Sequence, residues 1–228
     1  MAEKIIRDEE IVIEEKEPFL VINKETLKRP GIILRLIGIA FCLIGVVLTV
    51  ILPTVVMEYR SYSSASTFDP VRGAAFPQQI IGGPNALFGG GYFALYLKSA
   101  DTPHLLTTVR ASFNPILFTI LACMVVFAVL SFFVTFSKKM EKMAKLATLG
   151  IALGGFGAIA SPIWFMVANN FGNNYLVEST NITEYFMYDS LYCHSAWGAI
   201  VAALVFVVGA SCFGIGTNLE NKGGERGQ

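Results

Sequence analysis

The run GIILRLIGIAFCLIGVVLTVILPTVVM, residues 31–57, carries a single charged side chain, Arg35. About 20 apolar residues suffice for a helix to cross a bilayer, so this run constrains the fold more than any other feature. Three further runs have the same character. They are FNPILFTILACMVVFAVLSFFVTF at 113–136, LATLGIALGGFGAIASPIWFMVA at 146–168, and a fourth over 190–215 containing LYCHSAWGAIVAALVFVVGASCFGI. A buried helix of a soluble protein rarely stays apolar on all sides for so long. The mean hydropathy of +0.59 and a charged fraction of 15% agree with a membrane class. The expected fold is an all-α membrane protein, a four-transmembrane-helix bundle with a small β-sheet cap formed mainly by the first extracytoplasmic loop.

Orientation follows from Lys and Arg near the span ends. Lys24, Lys28, Arg29 and Arg35 precede or open the first span. Lys138, Lys139, Lys142 and Lys145 fill the link between the second and third, and Lys222 and Arg226 follow the fourth. The connection between the third and fourth contains no Lys or Arg. The reading is therefore a cytoplasmic tail (1–30), spans at 31–57, 113–136, 146–168 and 190–215, outer loops at 58–112 and 169–189, a cytoplasmic link (137–145) and a cytoplasmic tail (216–228). Trp164, Trp197, Tyr185, Tyr188 and Tyr192 fall toward the outer interface, as an aromatic belt would. The first 30 residues are too charged for a cleavable signal, so the first span reads as a retained anchor in a multi-pass protein of the plasma membrane.

Within this frame the glycines form a pattern. Gly31, Gly38 and Gly45 recur every seven residues, and Gly150, Gly154 and Gly157 follow steps of four and three. Small residues at such spacing let helix backbones approach closely in lipid. The default reading packs the first helix on the third within one chain; the alternative uses one stripe between copies. Glu141 precedes Lys145 at the favourable i,i+4 spacing, and Arg35, one turn from the cytoplasmic end, can snorkel to the interface. The N-terminal tail carries EIVIEE and PFLVIN, two apolar patches that suit a hairpin.

The outer stretch IIGGPNALFGGGYFALYLK, residues 80–98, admits two readings. It is either a re-entrant pore loop, tolerated at membrane depth where protein surrounds it, or part of a folded cap. GYFALYLK alternates Tyr92, Ala94 and Tyr96 against Phe93, Leu95 and Leu97, as a strand does. Weaker strand candidates lie at 59–62 and 76–81, and GGPN is a turn signal. The favoured reading is a small sheet, with Tyr92, Phe93 and Tyr96 as partner-binding residues.

Reactive chemistry is sparse in the sequence. No Asp or Glu falls within any span, which argues against a coupled transporter. The one reactive-looking cluster is YDSLYCHS, residues 188–195. On a helix it would put Asp189 and Cys193 on one face and turn His194 away, with His104 in the first loop as a distant companion. Three or four converging ligands are needed for a metal, so the expectation is no metal, no cofactor and no catalytic residue. Cys193 reads as a buried structural cysteine. Asn181 begins an N-I-T glycosylation sequon on the outer side. A net charge of zero without a basic face argues against nucleic acid.

Four spans with both ends inside, a large sheet-forming first outer loop and a small second one resemble the claudin and related tetraspan layout. The resemblance is one of topology and covers most of the chain. Residues 59–110 contain neither Trp nor Cys, so the claudin first-loop pattern of tryptophans and a cysteine pair is missing. The Cys-rich second loop of tetraspanins is missing too, and no family residue carries over. The layout implies a protein acting by lateral and outward contacts. The expected function is that of a non-enzymatic scaffold, accessory or cell-surface interaction subunit, in contact with membrane lipids and with other membrane proteins or copies of itself. The alternatives are a homo-oligomeric channel lined by the first loop and, less favoured, an enzyme built on His104, Asp189, Cys193 and His194.

Overall fold

The computed structural model describes residues 22, 24–59, 79–99, 102–169, 175–179, 182–186 and 191–225. After a short turn, α1 (Lys24–Leu27), the first long helix α2 (Pro30–Ile51) begins with proline in its first turn, where the missing N–H is not needed. It ends at Ile51, because Pro53 disfavours helical backbone at Leu52, which is extended (ψ 156). The apolar run read as one span over 31–57 thus changes state inside itself. Residues from Pro53 onward form strand β1 (Pro53–Tyr59), rich in β-branched Thr54, Val55 and Val56. The remaining 22-residue helix is about 33 Å long at 1.5 Å per residue, close to the thickness of a hydrocarbon core.

The chain continues through β2 (Gln79–Gly82), α3 (Gly83–Phe88), β3 (Tyr92–Ser99) and β4 (Thr102–Arg110) to the second long helix, α4 (Pro115–Phe136). Asn114 caps α4 by accepting the Leu117 N–H at 3.0 Å. A 3-10 segment, Lys138–Met143, leads into α5 (Ala144–Ile159) and α6 (Ser161–Ala168). The third span, expected unbroken over 146–168, is therefore two helices. Pro162 supplies no N–H to the preceding turn, and the chain breaks at Ala160. Strands β5 (Tyr175–Ser179), β6 (Ile182–Phe186) and β7 (Leu191–Ser195) precede α7 (Trp197–Glu225). The fourth helix thus starts at Trp197, not at 190, and runs past 215. The tail patches before Ile22, the strand candidates at 60–62 and 76–78, Asp189 and Asn181 lie outside the described residues.

Four helical segments are long and apolar enough to cross a membrane: Pro30–Ile51, Pro115–Phe136, Lys139–Ile159 and Trp197–Asn221. Their outward faces are apolar too, with Val47, Val126, Leu149, Phe156 and Leu204 exposed, a surface suited to lipid. Helix α2 runs antiparallel to α7 along most of its length, α5 packs on α7 and α4, and α4 closes against α2. The core between them includes Cys42, Met124, Ile151, Phe206 and Phe213.

Glycines set these contacts, with a different pairing from the expected one. The Gly31, Gly38 and Gly45 stripe faces α7, not the third helix. A Cβ on Gly38 would lie 2.7 Å from the Gly209 carbonyl oxygen and 2.9 Å from the Phe213 amide nitrogen. Gly31 meets Gly216 in the same way, and Gly45 lies against the Phe206 ring. From α5, Gly154 lies against Phe206 and Met124, while Gly150 and Gly157 admit Phe127 and Ile120 of α4. Both stripes are occupied within the chain. Gly209 and Gly216 were missed as partners, although they share the spacing of seven.

The strands form three sheets among the described residues: β2-β1-β7, β3-β4 and β5-β6, all antiparallel. The β-cap therefore includes a strand from just before the fourth helix, while GYFALYLK belongs to a separate hairpin.

Gly38→Ala should destabilise the fold by about 1–3 kcal/mol, the usual penalty of overpacking. Gly214→Ala, whose Cβ would meet only Thr148 Cγ2 at 3.4 Å, should be neutral or gain up to ~1 kcal/mol in helix propensity. Unfolding in mixed micelles measures both.

Candidate functional site

Two regions concentrate polar and structural detail, one at each end of the helices. At the sheet end, β1 issues directly from α2 and must satisfy the carbonyls that a helix end leaves open. Gly83 sits against them: a Cβ there would be 2.5 Å from both the Val50 and the Leu52 oxygens. The Thr54 carbonyl accepts from the Ala196 N–H at 3.0 Å and from the Ser161 hydroxyl at 3.2 Å. At the break in the third span, the Ile163 and Trp164 amides both donate to the Ala160 oxygen. The Ser195 hydroxyl donates to the Ile159 carbonyl at 2.7 Å. Val55, Met57, Ile81, Ala86, Ala111 and Phe165 form an apolar cluster under the sheet, with Cys193 against it. The three-stranded sheet is thereby bonded to three of the long helices' ends.

The 80–98 stretch divides between the two expected readings. Its first part is β2 followed by α3, a helix in place of the expected GGPN turn. Leu87 of α3 is buried among Leu117, Leu121, Val46, Val50 and Trp164, wedged between the sheet-side ends of α2 and α4. The Asn114 N–H donates to the Leu87 carbonyl at 2.9 Å. Gly89 and Gly90 then take φ of +71 and +89, a region that favours glycine. The Gly90 N–H reaches the Ala111 oxygen at 2.9 Å, which starts the β3–β4 hairpin. On β3, Tyr92 faces Arg110, Phe93 faces Val109 and Tyr96 faces Leu105 in the register. Tyr92 is 71% exposed.

At the opposite end lies a buried charge. Arg35, expected to snorkel, is only 2% exposed. Its Nη2 lies 3.6 Å from Glu141 Oε1, and its guanidinium carbon is 6.0 Å from the Phe213 ring centroid. Nε and Nη2 make no hydrogen bond among the described residues. Glu141 therefore turns to α2, where an intrahelical pair with Lys145 was expected; the 3-10 winding of 138–143 removes the α-helical i,i+4 geometry that such a pair requires. Arg29 and Glu220 form a second pair at 3.6 Å. These contacts join α2, the 138–143 link and α7 at one end.

The YDSLYCHS cluster is not helical where it is described. Leu191–Ser195 is strand β7, and Met57 and Val56 of β1 pair with Cys193 and His194. Neighbouring residues of a strand face opposite sides, so Cys193 and His194 diverge more than on the expected helix. His194 Nδ1 is 3.4 Å from the Ser195 oxygen, and His104 lies on β4, in a different sheet. Burial pushes the Cys193 thiol up to about 12. Among the described residues no three His, Cys, Asp or Glu side chains converge. Comparison with protein-family models, curated proteins and solved structures finds no match.

Two measurements follow from these sites. Glu141→Gln removes the nearer of the two carboxylates, Glu141 and Glu220, whose charge acts on buried Arg35, and should cost about 1–2 kcal/mol, less than the ~3–5 of a fully buried pair because Glu141 meets solvent and Glu220 remains. Arg35→Met combined with Glu141→Gln should recover most of that loss in the same unfolding assay. In a chain keeping only Cys193, alkylation should stay slow at pH 8 and rise only as pH approaches about 12. The folded thiol keeps its proton where an unfolded one loses it, near 9.0. Stability should therefore fall as pH rises from there.

Proposed function

We propose that this chain is a multi-pass membrane protein, a four-helix transmembrane bundle with both termini and the Lys-rich link in the cytoplasm, in the plasma membrane. It acts as a non-enzymatic scaffold or accessory subunit that presents its outer cap to another membrane protein. The carrying observation is the coupling of the cap to the helices. Strand β1 continues from α2, β7 leads into α7 through Ala196, and Ser161 and Ser195 tie both to the third span. A contact made on the sheet is thus transmitted to three helix ends, which is what an adaptor between an outer partner and a membrane complex requires. Strands β2 and β7 are the two edges of the three-stranded sheet among the described residues, and a sheet edge suits strand addition by a partner. Exposed Tyr92 offers aromatic anchoring area, and Phe93 and Tyr96, the other partner-binding residues of this reading, lie on the same strand.

A photo-crosslinking residue in place of Tyr92 should capture a different membrane protein from native membranes. The same residue in place of Leu204, on the outward face of α7, should not. A native mass equal to one chain under gentle, lipid-retaining conditions would refute the reading. A mass made only of identical copies would support the homo-oligomeric channel instead.

A further inference from the structure

The 3-10 winding of Lys138–Met143 aligns the lysines of the link. Side chains three apart eclipse in such a helix, so Lys139 and Lys142 stand in one row. Lys145 follows three residues on, in the first turn of α5. All three are exposed. In a continuous α-helix they would spread over about 120°. Glu141 sits about 120° round from the row, where it faces Arg35 at 3.6 Å. Glu220, the other carboxylate paired at this end, is taken by Arg29 at 3.6 Å. Lys139, Lys142 and Lys145 have no ion pair among the described residues.

A row of unpaired cations suits an anionic partner, and the chain carries one at the same end. Residues 1–21 hold seven Asp and Glu against three Lys and Arg, a net charge of −4. The whole chain balances at zero, so the remainder carries +4. The acidic residues are densest in RDEEIVIEEKE, residues 7–17. Glu17 stands seven positions before Lys24, where α1 begins, a tether of up to about 25 Å. The link meets α2 at Arg35, five residues past Pro30 and so about 8 Å along the helix. Neighbouring helices lie about 8–10 Å apart, which puts the row within the tether's reach. A segment held this near meets the row at an effective concentration on the order of mM, an advantage that no separate partner has.

We propose that the acidic stretch 8–17 of the chain's own N-terminal tail docks on the row of Lys139, Lys142 and Lys145, covering the Lys-rich end of the helices. The Arg35–Glu141 pair prepares the surface. By drawing Glu141 inward it leaves no neighbouring carboxylate for the tail to displace. The row is exposed, so salt weakens the contact, the screening length falling from about 10 Å at 0.1 M to about 3 Å at 1 M.

Carbodiimide coupling, which joins a carboxylate to an amine in direct contact, tests this on the full chain in phosphatidylcholine bilayers. Peptide mass spectrometry reads the links. Lys222 is the control, because it lies two residues beyond Glu220, which pairs with Arg29 just before α2. Mere nearness to the tail therefore favours Lys222. Links from Glu14, Glu15 or Glu17 to Lys142 or Lys145 should exceed those to Lys222 severalfold, and should fall severalfold at about 1 M salt. Lys142→Glu with Lys145→Glu should abolish them. Adding Glu14→Lys with Glu15→Lys to that variant should restore coupling between the same two segments. Links to the row no stronger than those to Lys222, or a charge swap that restores nothing, would overturn the proposal. So would links found only between isotope-labelled and unlabelled copies, which would assign the row to a second chain. Replacing part of the phosphatidylcholine by phosphatidylglycerol should leave the links in place; their loss would assign the row to anionic lipid instead.

Discussion

The structure depends on the close approach of α2 and α7. A helix without a side chain at three successive heptad positions presents bare backbone, and here that backbone meets Gly209 and Gly216 of α7. In lipid there is no hydrophobic drive between helices, so such packing supplies the cohesion. Phe206 shows how far the arrangement goes. Its ring fills space left by Gly45 on one side and Gly154 on the other, so a single side chain registers three helices. With α7 fixed antiparallel on α2, its first residues necessarily lie beside the last residues of α2. The contact of Gly198 with the Pro53 backbone is the end of the same interface.

That juxtaposition explains the cap. A helix ending at the edge of a bilayer leaves carbonyls that neither lipid nor its own backbone can satisfy. Pro53 and Pro162 create two such ends, in α2 and in the third span. The Ser195 hydroxyl bonds the Ile159 carbonyl of the third span, the Ala196 amide and the Ser161 hydroxyl bond the Thr54 carbonyl just past α2, and Gly83 lets the backbone of α3 lie against the last carbonyls of α2. The sheet is thus the continuation of the helices by other hydrogen bonds. At the other end, the Arg35–Glu141 pair does related work with charge, holding the link between α4 and α5 against α2.

Much of the helical frame was legible because its signal is local. Four apolar runs and two prolines are visible without knowing any contact, and α4 falls where its run predicts. The misreadings share one cause. Apolarity reports burial or lipid, not backbone state, so residues 53–57 and 191–195 joined neighbouring helices when they belong to strands. β7 exists because β1 lies alongside it, a pairing between residues far apart in the chain. Glu141 was assigned to Lys145 because sequence spacing shows only neighbours along a helix, and Arg35 lies more than a hundred positions away.

The amino-acid order alone determined four segments able to cross a membrane, the Lys-rich side and the small-residue stripes, because hydropathy, charge and side-chain size act at the scale of one helix. It left open where helices stop, because Pro53 and Pro162 lie inside apolar runs and a proline in such a run can kink a helix or end it. Only the tertiary structure decided which stripe meets which helix, that the cap draws on two connections, that Leu87 wedges between helices and that Arg35 is buried beside Glu141. Those outcomes depend on shape fit between distant segments, and glycine, serine and arginine each carry the same signal in many possible pairings.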